Sequence, residues 1–361
     1  MSGRLWKYLT PQQEREFILS LNLLPASCRK RMSGEAQLAL LYAISNHVER
    51  HYRKVRIPKK DGKSRRLLVP DGLLKGVQRN ILRHCLDGRS VSEYACAYRR
   101  GLSAADNAAP HAGGGKDKLL LKLDIRDFFD SILFWQVYGA AFPGSLFPPA
   151  AAGLLTHLCC CGDRLPQGAP TSPAISNLVM KPFDEFMGAW CRQRQIVYTR
   201  YCDDLTFSGA FDPKAVYHKA RHLLEAMGFA LNAEKTALRN RGMRQSVTGL
   251  VVNERVRTGV PYRRRIRQEM YYCRKYGVGE HLQAVGRLTG TETQEEAAEA
   301  ERAFLCALLG KIGYVLLLEP ENREFLEYRE ICRGMQAEQE KASCPPACGE
   351  REQKRRGGKE K

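Results

Sequence analysis

Apolar residues recur every three or four positions through most of the first 50 residues. They do so in "QQEREFILSLNLL" and again in "GEAQLALLYAISNHVERHY", and that spacing predicts an N-terminal helical segment over 1–50. The period then changes. "VRIPKKDGKSRRLLVP", 55–70, sets two short β-prone runs around a Lys-Lys-Asp-Gly-Lys-Ser tip, which predicts a hairpin with a basic tip. "GLLKGVQRNILRHCL" returns to helical spacing. In "KLLLKLDIRDFFDSI" the pattern alternates: Leu119, Leu121, Leu123 and Ile125 share one face, while Leu120, Lys122 and Asp124 share the other. Asp124 therefore falls near a strand end. "YTRYCDDLTFSG", 198–209, predicts a strand, a tight turn at Cys202-Asp203-Asp204 and a second strand. Neighbouring side chains on a straight strand face opposite ways, but at a turn Asp203 and Asp204 can be offered together.

Further on, "DPKAVYHKARHLLEAMGFALNAEKTAL" predicts a helix, a stop at Gly228 and a strand, and "RQSVTGLVVN" a further strand pair. From about 261 to 333 the pattern is helical and strongly basic, beginning "PYRRRIRQEMYYCRKYG". Residues 336–361 lack periodicity and large apolar side chains, and a disordered tail is expected there. No internal repeat of fixed period is present.

Charge gives this pattern a chemical direction. The chain has 361 residues, with 58 Lys and Arg against 39 Asp and Glu, a formal net charge of +19. Such an excess points to a polyanion, most simply nucleic acid. Against that background two adjacent carboxylates ask for a cation, because their repulsion otherwise raises the pKa of one of them. Asp124, Asp203 and Asp204 are hard oxygen ligands without histidine or cysteine beside them, a set that suits Mg²⁺. Two such ions about 4 Å apart can clamp the attacking and leaving oxygens of an in-line phosphoryl transfer. The competing reading is three surface aspartates that cap turns.

Other features exclude classes. There is no run of about 20 apolar residues, so no membrane span is expected. "MSGRLWKYLTPQQEREF" turns polar too soon for a signal peptide. The 13 cysteines then read as reduced intracellular thiols in a cytoplasmic protein. Cys159–Cys161 follow an apolar run and should be buried. Cys344 and Cys348 have no second pair nearby and make a poor zinc site.

Four boxes, in order, carry a resemblance. "YCDD", 201–204, resembles the Tyr-x-Asp-Asp box of reverse transcriptases, and "LDIRDFFDSI" their first carboxylate motif. "LPQGAPTSPAISNLV", 165–179, resembles their Leu-Pro-Gln-Gly motif, and "GFALNAEKT", 228–236, their downstream lysine motif. Two shorter boxes narrow the family. "NAAPH", 107–111, and "VTG", 247–249, resemble signatures of bacterial retron reverse transcriptases. Alanine is usual between the Tyr and the Asp pair of these enzymes; here Cys202 stands there.

The resemblance covers roughly 50–335 and implies an α+β right-hand polymerase. Fingers would begin at 51–118 and a palm would span 119–255, with a fingers segment interleaved at about 140–180. A helical thumb would follow at 256–335. It implies metal ligation by Asp124, Asp203 and Asp204, helped by the carbonyl of Ile125, and two Mg²⁺ ions. Arg66 would meet the triphosphate, with Lys59 as its companion and Lys60, Lys63 and Arg65 as alternatives, since a guanidinium fork suits phosphate. The backbone N–H groups of Asp127 and Phe128 could hold phosphate oxygens as at a helix start. Phe129 would be the steric gate against ribonucleotides, with Phe128 packing in the core. Gln167 and Gly168 would lie beside the nascent base pair. Lys235 is either a general acid for pyrophosphate or an ordinary surface lysine. Asn107 and His111 would hold the template RNA or the fold around it, and Thr248, Gly249, Arg263, Arg264 and Arg267 are further candidate RNA contacts; Arg265, Tyr271 and Tyr272 add charge and rings to the same thumb face.

The implied activity is RNA-directed DNA polymerisation from deoxynucleoside triphosphates. A cognate noncoding RNA serves as template and primer, and priming starts from the 2′-hydroxyl of a guanosine in it. The product is a branched RNA–DNA hybrid, in antiphage defence with a separate effector protein. No effector domain is expected in so short a tail. The alternatives are a group II intron-like or diversity-generating reverse transcriptase, and an RNA-binding homologue without catalysis.

Overall fold

In a computed structural model of the chain, residues 5–58, 62 and 64–343 are described. The chain divides into two compact units, Met1–Thr248 with Val252–Arg255, and Gly249–Val251 with Val256–Lys361.

The first unit is built on a four-stranded antiparallel sheet. Its strands are β3 (Leu119–Asp124), β4 (Val197–Tyr201), β5 (Asp204–Gly209) and β6 (Ala237–Arg239), in the order β4-β5-β3-β6. A separate hairpin precedes it, β1 (Tyr52–Pro58) and β2 (Ser64–Pro70), where 55–70 had predicted one. The alternating leucines of β3 are buried on both faces, because helices and the fold's own loops cover the sheet. The longest helix of this unit, Ser172–Arg192, starts with Pro173 in its first turn, where the missing N–H costs no hydrogen bond. It buries Ile175, Leu178, Val179, Phe183 and Met187 within the same apolar core as Tyr198, Leu205 and Phe207 of the sheet. Helix starts follow local chemistry. Thr10 and Gln13 form a capping box, and the Asp71 side chain accepts from the Leu74 N–H at the head of Gly72–Ile81.

The second unit is helical: Val260–Tyr276, Val278–Ala284, Gln294–Leu318 and Arg323–Ser343. Ile266, Met270, Phe304, Leu308, Ile312 and Phe325 form its core. Its last helix runs eight residues into the stretch expected to be disordered from 336, because "QAEQEKA" is made of strong helix formers. The rest of that stretch, with Cys344 and Cys348, lies outside the described residues. The described cysteines are free thiols; Cys159 and Cys160 are buried as expected, whereas Cys161 is half-buried. Among the described residues no helix is long and apolar enough to cross a membrane.

Candidate active site

Strand register brings the carboxylates together. Asp124, the last residue of β3, pairs across the sheet with Asp204, the first residue of β5. The chain beyond Asp124 is fastened on two sides. The Ile125 N–H donates to the Asp203 carbonyl at 3.0 Å, and the Asn232 N–H donates to the Asp124 carbonyl at 2.8 Å. Between β4 and β5, Cys202 takes φ 60°, in the left-handed region, and this reverses the chain so that Asp203 stands at the turn. Three residues separated by 80 positions in sequence thus meet at one end of the sheet.

Electrostatics agree with that convergence. Burial pushes the Asp204 carboxyl above the usual range, and the charges of Asp203 and Asp124 add to it, while Lys122 opposes. Lys235 places Nζ 2.8 Å from Asp124 Oδ1. Its pKa is raised chiefly by that hydrogen bond, with further help from the charges of all three aspartates. Lys235 is thus a cation held among the carboxylates, not a detached surface lysine. Among the described residues no three His, Cys, Asp or Glu side chains are gathered as a ready-made metal site. The donors still fit a hard divalent ion in kind: all are oxygens, and their crowded negative charge is only partly offset by the ammonium groups of Lys122 and Lys235.

The other candidates fall into two groups. Near the carboxylates, Asp127 is left-handed at φ 44° and precedes the short helix Phe128–Ser131. Phe128 lies against Phe229 and edge-on to Phe129; both residues are buried, Phe129 at 9% exposure and Phe128 at 4%. Arg66 is exposed on β2, and its charge acts on Asp130 of that short helix. Lys59, Lys60 and Lys63 lie outside the described residues. The Gln167 carbonyl accepts from the Leu68 N–H at 2.9 Å, so this loop is docked on β2. Gly168 has φ +124°, and a Cβ there would meet the Leu68 carbonyl oxygen at 2.7 Å. The close approach that requires glycine is therefore to β2. Gly168→Ala is expected to destabilise the fold by roughly 1–3 kcal/mol, from the backbone strain and the clash together. Chemical denaturation would measure this, and an unchanged midpoint would mean the loop does not lie against β2.

Several of the candidate RNA contacts are tied into the protein's own framework. His111 is fully buried; Nδ1 lies 2.7 Å from Ser208 Oγ and Nε2 2.9 Å from Thr199 Oγ1. Asn107 is also buried, and neither side chain reaches the surface where RNA could touch it. Thr248 donates through Oγ1 to the carbonyl of Ala104, the first residue of the helix Ala104–Ala108 that leads into the 107–111 box; Gly249 beside it is exposed. Arg263 pairs with Glu319, and Arg267 forms a two-pronged bridge with Glu324 at 2.6 and 2.7 Å. These arginines join helices of the second unit. Arg264 and Arg265 are exposed.

Burial lowers the His111 pKa from 6.5 to about 3, with the Lys118 charge adding. The ring is neutral in the fold, whereas the unfolded chain binds a proton below about pH 6.5. Its contribution to stability is therefore complete above pH 6.5 and is lost as the pH falls towards 3. The expected slope from this one proton is about 1.4 kcal/mol per pH unit. Denaturation of His111→Gln across that window should show a slope shallower by one proton.

The pattern also concealed residues that matter. Arg200 of β4 and Asp184 of the helix Ser172–Arg192 are both fully buried and paired at 2.6 Å. Asn177 lies seven residues before Asp184 on the same helix and accepts from Arg200 Nη2. Two polar residues seven apart on an otherwise apolar helix face were the signal available in the sequence.

Comparison with known proteins supplies the family. Residues 57–252 match the family described as Reverse transcriptase (RNA-dependent DNA polymerase). The Retron Ec86 reverse transcriptase of Escherichia coli is 32% identical over 270 residues, which cover 72% of this chain and 81% of that protein. This chain belongs to the retron reverse transcriptases. The Retron Mx65 reverse transcriptase of Myxococcus xanthus is 34% identical over 306 residues; the match spans 79% of this chain and 65% of that relative. Among solved structures, apo telomerase from Candida tropicalis aligns at a TM-score of 0.45 and 13% identity, over 80% of this chain and 61% of that one. The retron family fits the order of boxes read from the sequence, and the fold is that of a reverse transcriptase.

Proposed function

We propose that this protein is an RNA-directed DNA polymerase that extends DNA from deoxynucleoside triphosphates on its own noncoding RNA. One observation carries the reading: β3 and β5 pair so that Asp124 lies opposite Asp204, with Asp203 on the adjoining turn. Asp124, Asp203 and Asp204, with the Ile125 carbonyl, would hold two Mg²⁺ ions. Those ions would supply an activated 3′-oxygen or 2′-oxygen nucleophile and would stabilise charge on the pyrophosphate leaving group.

The chain's own groups do the rest. Arg66 on β2 would meet the triphosphate, and the N–H groups of Asp127 and Phe128 would point at its oxygens. Phe129 would lie under the sugar and exclude a 2′-hydroxyl. Gln167, held by β2, would line the base-pair side. Lys235 carries a proton tightly while it rests on Asp124. It would have to leave that carboxylate before it could hand a proton to the departing pyrophosphate. Arg264, exposed on the second unit, would bind the RNA backbone.

Family membership supports the finer reading of a branched RNA–DNA product, with a role in antiphage defence alongside a separate effector. The test is to purify the full chain from its native host and sequence the nucleic acid that comes with it. A single noncoding RNA joined to DNA through a 2′-linked guanosine is expected. Unbranched DNA, or RNA with no DNA attached, would overturn the retron reading.

A further inference from the structure

Arg200 sits in the strand that leads into the catalytic turn, and its side chain is wholly buried. All three nitrogens of its guanidinium are engaged. Nε donates to Asp184 Oδ1 at 2.8 Å and Nη2 to Asp184 Oδ2 at 2.6 Å. Nη2 also donates to Asn177 Oδ1 at 3.1 Å, and Nη1 to the carbonyl of Cys202 at 3.1 Å. Asp184 accepts in addition from the Tyr198 hydroxyl at 2.8 Å. The backbone is fixed as well: the Arg200 N–H donates to the Tyr94 carbonyl, and the Cys96 N–H donates to the Arg200 carbonyl, both at 2.8 Å.

A buried ion pair is weak evidence for stability, since desolvation offsets much of its attraction and apolar replacements are often neutral. Stability alone therefore does not account for this arrangement. What the guanidinium does that an apolar pair cannot is donate to the Cys202 carbonyl. That carbonyl belongs to the left-handed residue immediately before Asp203. We propose that Arg200, locked by Asp184, is a positioning residue for the catalytic turn: its hydrogen bond to the Cys202 carbonyl sets how Asp203 and Asp204 are presented. This rests on the reading of Asp203 as a catalytic carboxylate. The segment after Cys96 grips the turn from the other side, where the Tyr98 hydroxyl donates to Cys202 Sγ at 3.1 Å.

The experiment uses the full chain and three variants: Asp203→Ala, Arg200→Lys, and the double apolar replacement Asp184→Leu with Arg200→Met. Each is measured for unfolding midpoint, RNA affinity, Mn²⁺ binding by electron paramagnetic resonance, and kcat and KM for deoxynucleotide in primer extension. Asp203→Ala tests the underlying reading by itself; if it still polymerises, that reading fails whatever the other two do. For the double variant the expected result is a folded protein with RNA affinity near that of the unaltered protein and a lower midpoint, because the Tyr198 hydroxyl and the Asn177 amide lose their partners. Its Mn²⁺ binding should be several-fold weaker, and its kcat lower by roughly 10- to 100-fold, the scale of a 1 Å misplacement, at little-changed KM. Arg200→Lys keeps the charge but lacks the fork that reaches Asp184 and Cys202 together, and it should fall between the two. It also supplies the answer if the double variant does not fold. A folded variant with unaltered kcat and Mn²⁺ binding overturns the proposal, and so does a loss of activity that merely follows the folded fraction.

Discussion

Asp203→Ala is expected to lower RNA-templated DNA synthesis by at least about a thousand-fold, equivalent to losing several kcal/mol of transition-state stabilisation. The residue stands at the turn, and its backbone carbonyl is already engaged by the Ile125 N–H. Removing the carboxylate therefore takes away the proposed metal ligand without releasing the turn itself. RNA affinity should remain within a few-fold of the original, because the cationic surface is untouched. Relief of the like-charge crowding should also keep the variant at least as stable to denaturation. Primer extension in Mg²⁺ and filter binding, run on the same preparation, separate these effects. Synthesis that survives in the variant would remove Asp203 from the metal site, whereas an unaltered protein that binds RNA but makes no DNA would leave the RNA-binding homologue without catalysis as the better reading.

The second large effect is expected at Phe129. An apolar pocket by itself discriminates against an added hydroxyl only by about a hundred-fold, so strong rejection needs bulk in the way. Phe129→Val should raise ribonucleotide use, measured as kcat/KM relative to the matching deoxynucleotide, by at least about ten-fold. Valine is the better probe than alanine. Phe129 is buried against Phe128, and truncation of a core phenylalanine to alanine costs about 3–5 kcal/mol. The unfolding midpoint of the variant separates loss of discrimination from loss of structure. If the ratio stays where it was in a well-folded variant, Phe129 is a core residue and the gate lies elsewhere.

The parts of this site that were legible in the sequence are those governed by short-range periodicity. Alternation placed Asp124 at a strand end, and the Cys-Asp-Asp interruption between two β-prone runs placed the turn; both elements stand where that pattern put them. Side chains whose role depends on a distant partner were not legible. His111 reads as a polar residue in a short motif, yet Ser208 and Thr199, roughly 90 positions away, make it a buried cross-strand tie. Arg263 and Arg267 belong to a run of arginines that suggests nucleic acid, but Glu319 and Glu324 lie more than 50 residues downstream and claim them. Counting charges cannot reveal such pairing. Gly168 is expected from the sequence beside the nascent base pair, but the need for glycine there comes from the backbone of β2, which no local pattern reveals. The tail boundary was misjudged because a polar stretch without apolar periodicity can still be composed of good helix formers.

The β4–β5 hairpin is tied at both ends, by the His111 ring near its base and by the Arg200 guanidinium beneath its tip. It cannot bend independently of the sheet. The opposite wall of the site is lighter: Lys235 is 57% exposed and rides on a three-residue helical turn, Ala233–Lys235, beside a three-residue edge strand. The two neighbouring aspartates therefore stand on the firmly tied side of the site and Lys235 on the lightly tied one.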